Sequence, residues 1–172
     1  MKLRGRAWTF GDDVSTDAIV PGAYLKLTDL ADVAPHVMEG LDPTFAQRVR
    51  PGDIVVGGRN FGKGSSRESA PGALKQVGVS AIVAVSFGRI FFRNAINFGL
   101  PVLECPDAGR IHQDDELEIE PRTGLIRNVT QRFELQAQSL PEHILELIEL
   151  GGLVPYLERW VAEHRGAAGR PT

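Results

Sequence analysis

The chain has 172 residues, enough for one domain with a hydrophobic core of its own. Hydrophobic residues make up 42% and charged residues 24%, and the formal net charge of −3 lacks the basic excess of a nucleic-acid surface. The longest apolar stretches fall far short of the ~20 residues a membrane helix needs, and one cysteine excludes an internal disulfide and any cysteine cluster built by this chain alone.

Met1 to Arg6 begins basic with no apolar core behind it, unlike a signal peptide, so a cytoplasmic protein is expected. Arg4, Arg6 and Trp8 open a strand expected at a sheet edge. Short apolar pieces at 7–10 and 17–20 flank the acidic turn Gly11-Asp12-Asp13. Residues 22–50 read as a loop followed by helical segments, with a helix start at Pro43-Thr44-Phe45. Pro51-Gly52-Asp53 turns into a strand at 54–57. A helix from Arg67 to Val77 ends at Gly78, as a C-terminal glycine predicts. A strand at 80–86, a helix at about 88–98 and a strand at 101–104 complete a β-α-β-α-β order, which favours parallel pairing. Beyond Asp107 the period changes to two at 116–120, 124–129 and 133–136, the pattern of antiparallel strands. Two helices are expected at 141–150 and 153–164, separated by Gly151-Gly152. Residues 1–165 are therefore assigned to one domain of mostly parallel βαβαβ core with added antiparallel strands, and 166–172 to a disordered tail.

The stretch Gly57 to Ala70, GGRNFGKGSSRESA, carries the chemistry. Glycines let the backbone turn tightly and approach a ligand, and a helix start offers free N–H groups to an anion. Ser65-Ser66-Arg67-Glu68 also fits a capping box, which satisfies those N–H groups without a ligand. A phosphate-binding P-loop is a third reading. Gly57 and Gly62-Lys63 have its spacing, but Gly64 stands where a Ser or Thr should hold magnesium, and the strand at 80–86 ends in Ser86-Phe87 rather than an acidic residue.

Asn60-Phe61-Gly62-Lys63-Gly64-Ser65-Ser66-Arg67-Glu68 resembles the signature of the swivelling domain of the aconitase superfamily. Two further blocks agree: Asp13 to Pro21 followed by Tyr24-Leu25-Lys26, and Ser86 to Asn94 followed by Asn97 to Pro101. Short chains of this kind resemble the small subunits of isopropylmalate isomerase (3-isopropylmalate dehydratase) and homoaconitase. The resemblance implies an α/β fold of the swivelling β/β/α type and a hydro-lyase, active only with a large subunit, that isomerises a hydroxy di- or tricarboxylate by dehydration and rehydration. A 4Fe-4S cluster, the Lewis acid for the departing hydroxyl, is expected on that large subunit, and no metal on this chain. The pair is expected as a heterodimer or heterotetramer, with no nucleic-acid or membrane partner.

By the same resemblance Ser65 is the base, acting as an alkoxide held by N–H donors and a nearby cation. Ser66 and Arg67 hold a substrate carboxylate, for which the guanidinium fork is suited. Asp17 corresponds to an acidic active-site residue that orients a partner across the subunit junction. The loop after Tyr24-Leu25 meets the distinguishing substituent of the substrate. Lys26 there suits a second carboxylate, as in homoaconitate (lysine biosynthesis), and Leu27 suits an isopropyl group; isopropylmalate (leucine biosynthesis) is the substrate expected, being the commoner use of this subunit type, with homoaconitate as the alternative. Lys63 and Ser69 replace a common Cys and His of the family, at positions that carry no proton transfer. Outside these blocks, His36, His112, His143 and His164 are scattered and read as surface or packing residues, Cys105 as an inert thiol, and Arg89 and Arg93 as neighbours on one helix face. The alternative from another class is a stand-alone module that captures a small anion at Ser65–Arg67.

Overall fold

The computed structural model describes residues 1–165, so the tail expected at 166–172 lies outside the described residues. Seven strands form one sheet in the order β4-β3-β2-β1-β5-β6-β7. Its parallel half comprises β1 (Leu3–Thr9), β2 (Ile54–Gly57), β3 (Ala81–Ala84) and β4 (Val102–Glu104). The antiparallel half comprises β5 (Glu116–Glu120), β6 (Leu125–Asn128) and β7 (Phe133–Gln136), the last three matching the period-two segments.

The first strand departs from expectation. It is central, parallel to β2 on one side and antiparallel to β5 on the other. Its charged residues mark one solvated face rather than an edge. Arg4 pairs across the strand with Glu116 and Glu118, while Ala7 and Trp8 are buried. The Trp8 indole N–H donates to the buried Asp53 carboxylate at 2.9 Å, and the Arg50 amide donates to the same oxygen at 2.9 Å, which ties β1 to the turn entering β2.

Side-chain alternation divides the core between the two faces of the sheet. On one face Val55, Ile82 and Val102 pack beneath the helices. These are α1 (Thr16–Ile19), α2 (Leu30–Val33), α3 (Phe45–Arg48), α4 (Ser69–Gln76), α5 (Arg89–Asn97), α6 (Glu142–Glu149) and α7 (Leu153–His164). On the other face Ile54, Val56, Val83 and Leu103 pack against Leu117, Ile119, Ile126 and Leu135 of the antiparallel half. The sheet therefore curls over itself, and helices cover only one face of its parallel half. Among the described residues no helix is long and apolar enough to cross a membrane.

The apolar piece at 17–20 belongs to the short helix α1, capped by the Ser15 hydroxyl, which accepts the Ala18 N–H at 3.1 Å. Helix α4 ends as expected, with Gly78 at φ +99 beyond its last turn. Its start is two residues later than expected, and the capping box does not form: no side chain caps α4. The Arg67 amide bonds instead to the Ser65 carbonyl at 2.8 Å, making a separate turn that leaves Ser65 and Ser66 exposed ahead of the helix.

Gly62 makes that turn possible. It sits at φ +78, and a Cβ there would stand 2.2 Å from Phe91 Cγ. The substitution Gly62→Ala combines a left-handed backbone with a clash against a buried ring, so a loss of about 2 kcal/mol or more is expected, read as a lower urea midpoint at unchanged m-value.

Candidate active site

Three separate stretches of sequence converge on the loop after β2. From one side, the Gly62 amide donates to the Val14 carbonyl at 2.7 Å, the Thr16 amide to the Lys63 carbonyl at 2.9 Å and the Asp13 amide to the Arg59 carbonyl at 2.7 Å. From the other, the Phe61 amide donates to the Ser86 carbonyl at 3.0 Å and the Gly88 amide to the Phe61 carbonyl at 2.9 Å. Phe61 also packs edge-on against Phe87 and Phe91, with centroids 6.1 Å and 5.5 Å away. The loop is thus a short added strand wedged between the segment leading to α1 and the segment leading to α5.

The candidate residues stand on this wedge. Arg67 is 15% exposed, and its guanidinium is fixed at two points: Nη1 donates to the Val20 carbonyl at 2.7 Å, and Nη2 pairs with Asp17 Oδ1 at 2.7 Å. Asp17, expected to face a partner, is thus engaged within this chain, although it remains 66% exposed. A guanidinium has five N–H donors, so this anchoring leaves three for a ligand carboxylate. Ser65 is positioned through its backbone, whose carbonyl accepts the Thr16 hydroxyl at 3.2 Å. Ser65 and Ser66 themselves are open to solvent, beside the first turn of α4, where the Ala70 amide already donates to the Arg67 carbonyl at 3.1 Å and Pro71 has no N–H to offer. Lys63 pairs with Asp13 at 3.4 Å, and Asn60 Nδ2 donates to the same Asp13 oxygen at 3.3 Å, so that lysine is held by the acidic turn.

Lys26 and Leu27 are not joined to this group: among the described residues no hydrogen bond or ion pair links either to Asp17, Ser65 or Arg67. Both are exposed on the loop between the turn Gly22–Tyr24 and α2. Each end of that loop is anchored. The Tyr24 ring stacks on His36 at 3.8 Å, and Glu39 pairs with His36 Nδ1 at 3.1 Å. A hydrogen bond to Glu39 raises the Tyr24 hydroxyl above its ordinary pKa and lowers the Glu39 carboxyl. At the other end Leu30 packs on Gly72 of α4, where an added Cβ would come within 2.9 Å of Leu30. The loop therefore arches between α1 and α4, the helices flanking Arg67.

Thr16, Val20 and the Tyr24–His36–Glu39 group were not singled out by sequence reasoning. Thr16 lay inside a quoted motif, but nothing in the string tells which hydroxyl faces inward. Cys105 is fully buried, and burial raises its thiol pKa, which opposes the thiolate that an iron–sulfur cluster requires. No group of three or more His, Cys, Asp or Glu side chains among the described residues is placed to hold a metal.

A curled seven-stranded α/β domain with an exposed serine–arginine turn ahead of α4 defines the class: residues 12–108 match the Aconitase C-terminal domain, and the chain belongs to that family. It is 51% identical over 162 residues to the isopropylmalate/citramalate isomerase small subunit of Methanocaldococcus jannaschii, covering 94% of this chain and 96% of that one. It is 52% identical over 161 residues to the 3-isopropylmalate dehydratase small subunit of Methanosarcina mazei, covering 94% and 99%. A crystal structure of 3-isopropylmalate dehydratase from Methanocaldococcus jannaschii superposes with a TM-score of 0.92 at 40% identity, covering 98% of this chain and all of that one.

Thr16→Val keeps the shape of the side chain and removes the hydroxyl that holds Ser65. The expected result is faster amide hydrogen exchange at 64–68 with a stability loss of about 1 kcal/mol. Unchanged exchange there would mean that the Thr16 bond does not position the turn.

Proposed function

We infer that this chain is the small subunit of a hydro-lyase that interconverts 2-isopropylmalate and 3-isopropylmalate by removing water and adding it back at the neighbouring carbon. The observation that carries this reading is the Ser65–Arg67 turn, fixed by Thr16, Asp17 and Val20, in a chain about half identical to such subunits along nearly its whole length.

In this proposal Ser65 is the base. Its alkoxide takes the proton from a substrate carbon next to a carboxylate, the hydroxyl leaves the adjacent carbon, and an alkene acid results. Water then returns with the opposite regiochemistry: hydroxyl adds to the carbon that lost its proton, and Ser65 returns a proton to the other. The guanidinium of Arg67 favours the anionic oxygen. Arg67 and Ser66 hold a substrate carboxylate through the guanidinium donors left over from Val20 and Asp17. Asp17 keeps the guanidinium plane fixed, so that carboxylate arrives at a preset angle.

A Lewis acid would assist departure of the hydroxyl, and among the described residues no group of three or more His, Cys, Asp or Glu side chains is placed to hold one. The single buried Cys105 supports placing an iron–sulfur cluster on a larger partner subunit, in a heterodimer or heterotetramer whose ligand pocket closes over Ser65. The cytoplasm is the compartment that this reading implies. Leu27, on the anchored loop, faces the isopropyl group of the substrate. Its neighbour Lys26 favours the second reading, a homoaconitase subunit whose substrate carries another carboxylate, because an exposed ammonium on that loop meets a charged substituent well.

The test is anaerobic co-expression with the large subunit of the same source, followed by hydration assays on isopropylmaleate and cis-homoaconitate. The chain alone is expected to be inactive and the complex to prefer isopropylmaleate. Ser65→Ala should lower kcat by at least about a thousandfold while the complex still assembles. A cluster-loaded complex inactive on both acids, or one that keeps its rate in Ser65→Ala, would overturn the reading. Lys26→Val should leave isopropylmaleate turnover within about threefold; a collapse of cis-homoaconitate turnover, with that acid preferred beforehand, would instead establish the homoaconitase reading.

A further inference from the structure

The proposed chemistry leaves several cavities unused, and one of them combines an apolar floor with charged walls. It lies at the carboxyl end of β4, between the first half of α5 and the segment 138–144, and encloses about 600 Å³, a volume usual for small-molecule sites. Its walls are tied together before any ligand arrives: the Gln138 amide donates to the Glu104 carbonyl at 2.8 Å, and Phe87 packs edge-on against Phe92 at 5.8 Å. Phe92, Val102, Leu140 and Ile144 give it an apolar floor.

Three charged side chains line this floor: Arg89, Arg93 and Glu104. Arg89 and Arg93 are four residues apart on one face of α5, where like charges repel. They also stand in the first turns of a helix whose N-terminus is itself positive and carries no side-chain cap. Among the described residues neither Arg89 nor Arg93 is ion-paired to a carboxylate, and both are exposed. Three sources of positive potential thus meet at the mouth of an apolar pocket, opposite one half-buried carboxylate. A neutral hydrocarbon leaves all of them unanswered, and a simple carboxylate leaves Glu104 unanswered.

We propose that this pocket binds a small α-amino acid with an apolar side chain. Arg89 and Arg93 take its carboxylate, Glu104 takes its ammonium, and the side chain lies on Phe92, Val102, Leu140 and Ile144. The site is separate from the serine–arginine turn but in contact with it, because Phe87 lines the pocket and packs on Phe61, two residues before Lys63. Occupancy is therefore placed to change the packing beneath the Ser65 loop.

The probe is leucine, titrated into the full-length chain and followed by amide NMR shifts. Saturable shifts at 88–93, 104 and 138–144 are expected, with a dissociation constant below about 1 mM. Arg89→Gln and Arg93→Gln should each weaken binding about tenfold, and Arg67→Ala should leave it unchanged. The analogue 4-methylpentanoate, which lacks the ammonium, should bind about tenfold more weakly, and Glu104→Gln should abolish that difference. Four results would overturn the proposal: no saturable shift, equal binding of 4-methylpentanoate, shifts confined to 57–70 that vanish in Arg67→Ala, or leucine binding that disappears once a large subunit is added. The last would assign the pocket to the subunit interface.

Discussion

The loop between β2 and α4 has glycines where a strand or helix would have side chains, and by itself it has no preferred shape. What shapes it is the pair of backbone ladders on its flanks, Val14 and Thr16 on one side and Ser86 and Gly88 on the other. Those bonds run between segments some 25 to 50 positions apart in the chain, so the loop is a product of tertiary folding rather than of local propensity. Phe61 stands inside the loop as its one large apolar anchor, and Phe87 and Phe91 close on it from α5 and its approach. The exposed serines and the half-freed Arg67 guanidinium depend on that anchorage, because neither serine is otherwise fixed by its own side chain.

The same arrangement explains why a modest chain can hold the Ser65–Arg67 turn in a fixed shape while leaving it open. The parallel half of the sheet delivers its loops at the carboxyl ends of β2, β3 and β4, where α/β domains gather ligand groups. The antiparallel half folds across the opposite face and contributes the second core, reaching the end of β4 through Cys105, which packs in that core and contacts the Gln136 carbonyl of β7. Stability and site are thereby segregated. Trp8, Asp53 and the layer of Leu117, Ile119 and Ile126 secure the sheet, and the turn at 64–68 is left uncovered.

Much of this was legible in the sequence, for identifiable reasons. Strands β5 to β7 alternate strictly because one face is buried and the other wet, helices α5 and α6 end just before Gly99 and Gly151, and α7 starts directly after Gly152. Family membership was legible because three motifs occur in order, and the structure explains their co-occurrence: they are hydrogen-bonded to one another. The failures share one cause. Arg4 and Arg6 read as edge residues because charge reveals a wet face but not whether a strand has neighbours on both sides. Ser65 to Glu68 read as a capping box because its spacing is local, whereas Thr16 and Val20, far along the chain, draw Ser65 and Arg67 into a different turn. The Asp17–Arg67 pair was hidden for the same reason, since each residue had been assigned a ligand or partner of its own. Lys26 and Leu27 were placed on a loop correctly, and both are exposed there, linked by no hydrogen bond or ion pair among the described residues to Asp17, Ser65 or Arg67.

The most direct measurement is a structure of the complex with the large subunit and a bound hydroxy acid. The account predicts Ser65 Oγ about 3 Å from the substrate carbon that loses its proton, a substrate carboxylate on Arg67, and the Asp17–Arg67 pair still in place. A ligand whose reacting carbons face another base, with Ser65 turned away and Arg67 bound only to Asp17 and Val20, would contradict it.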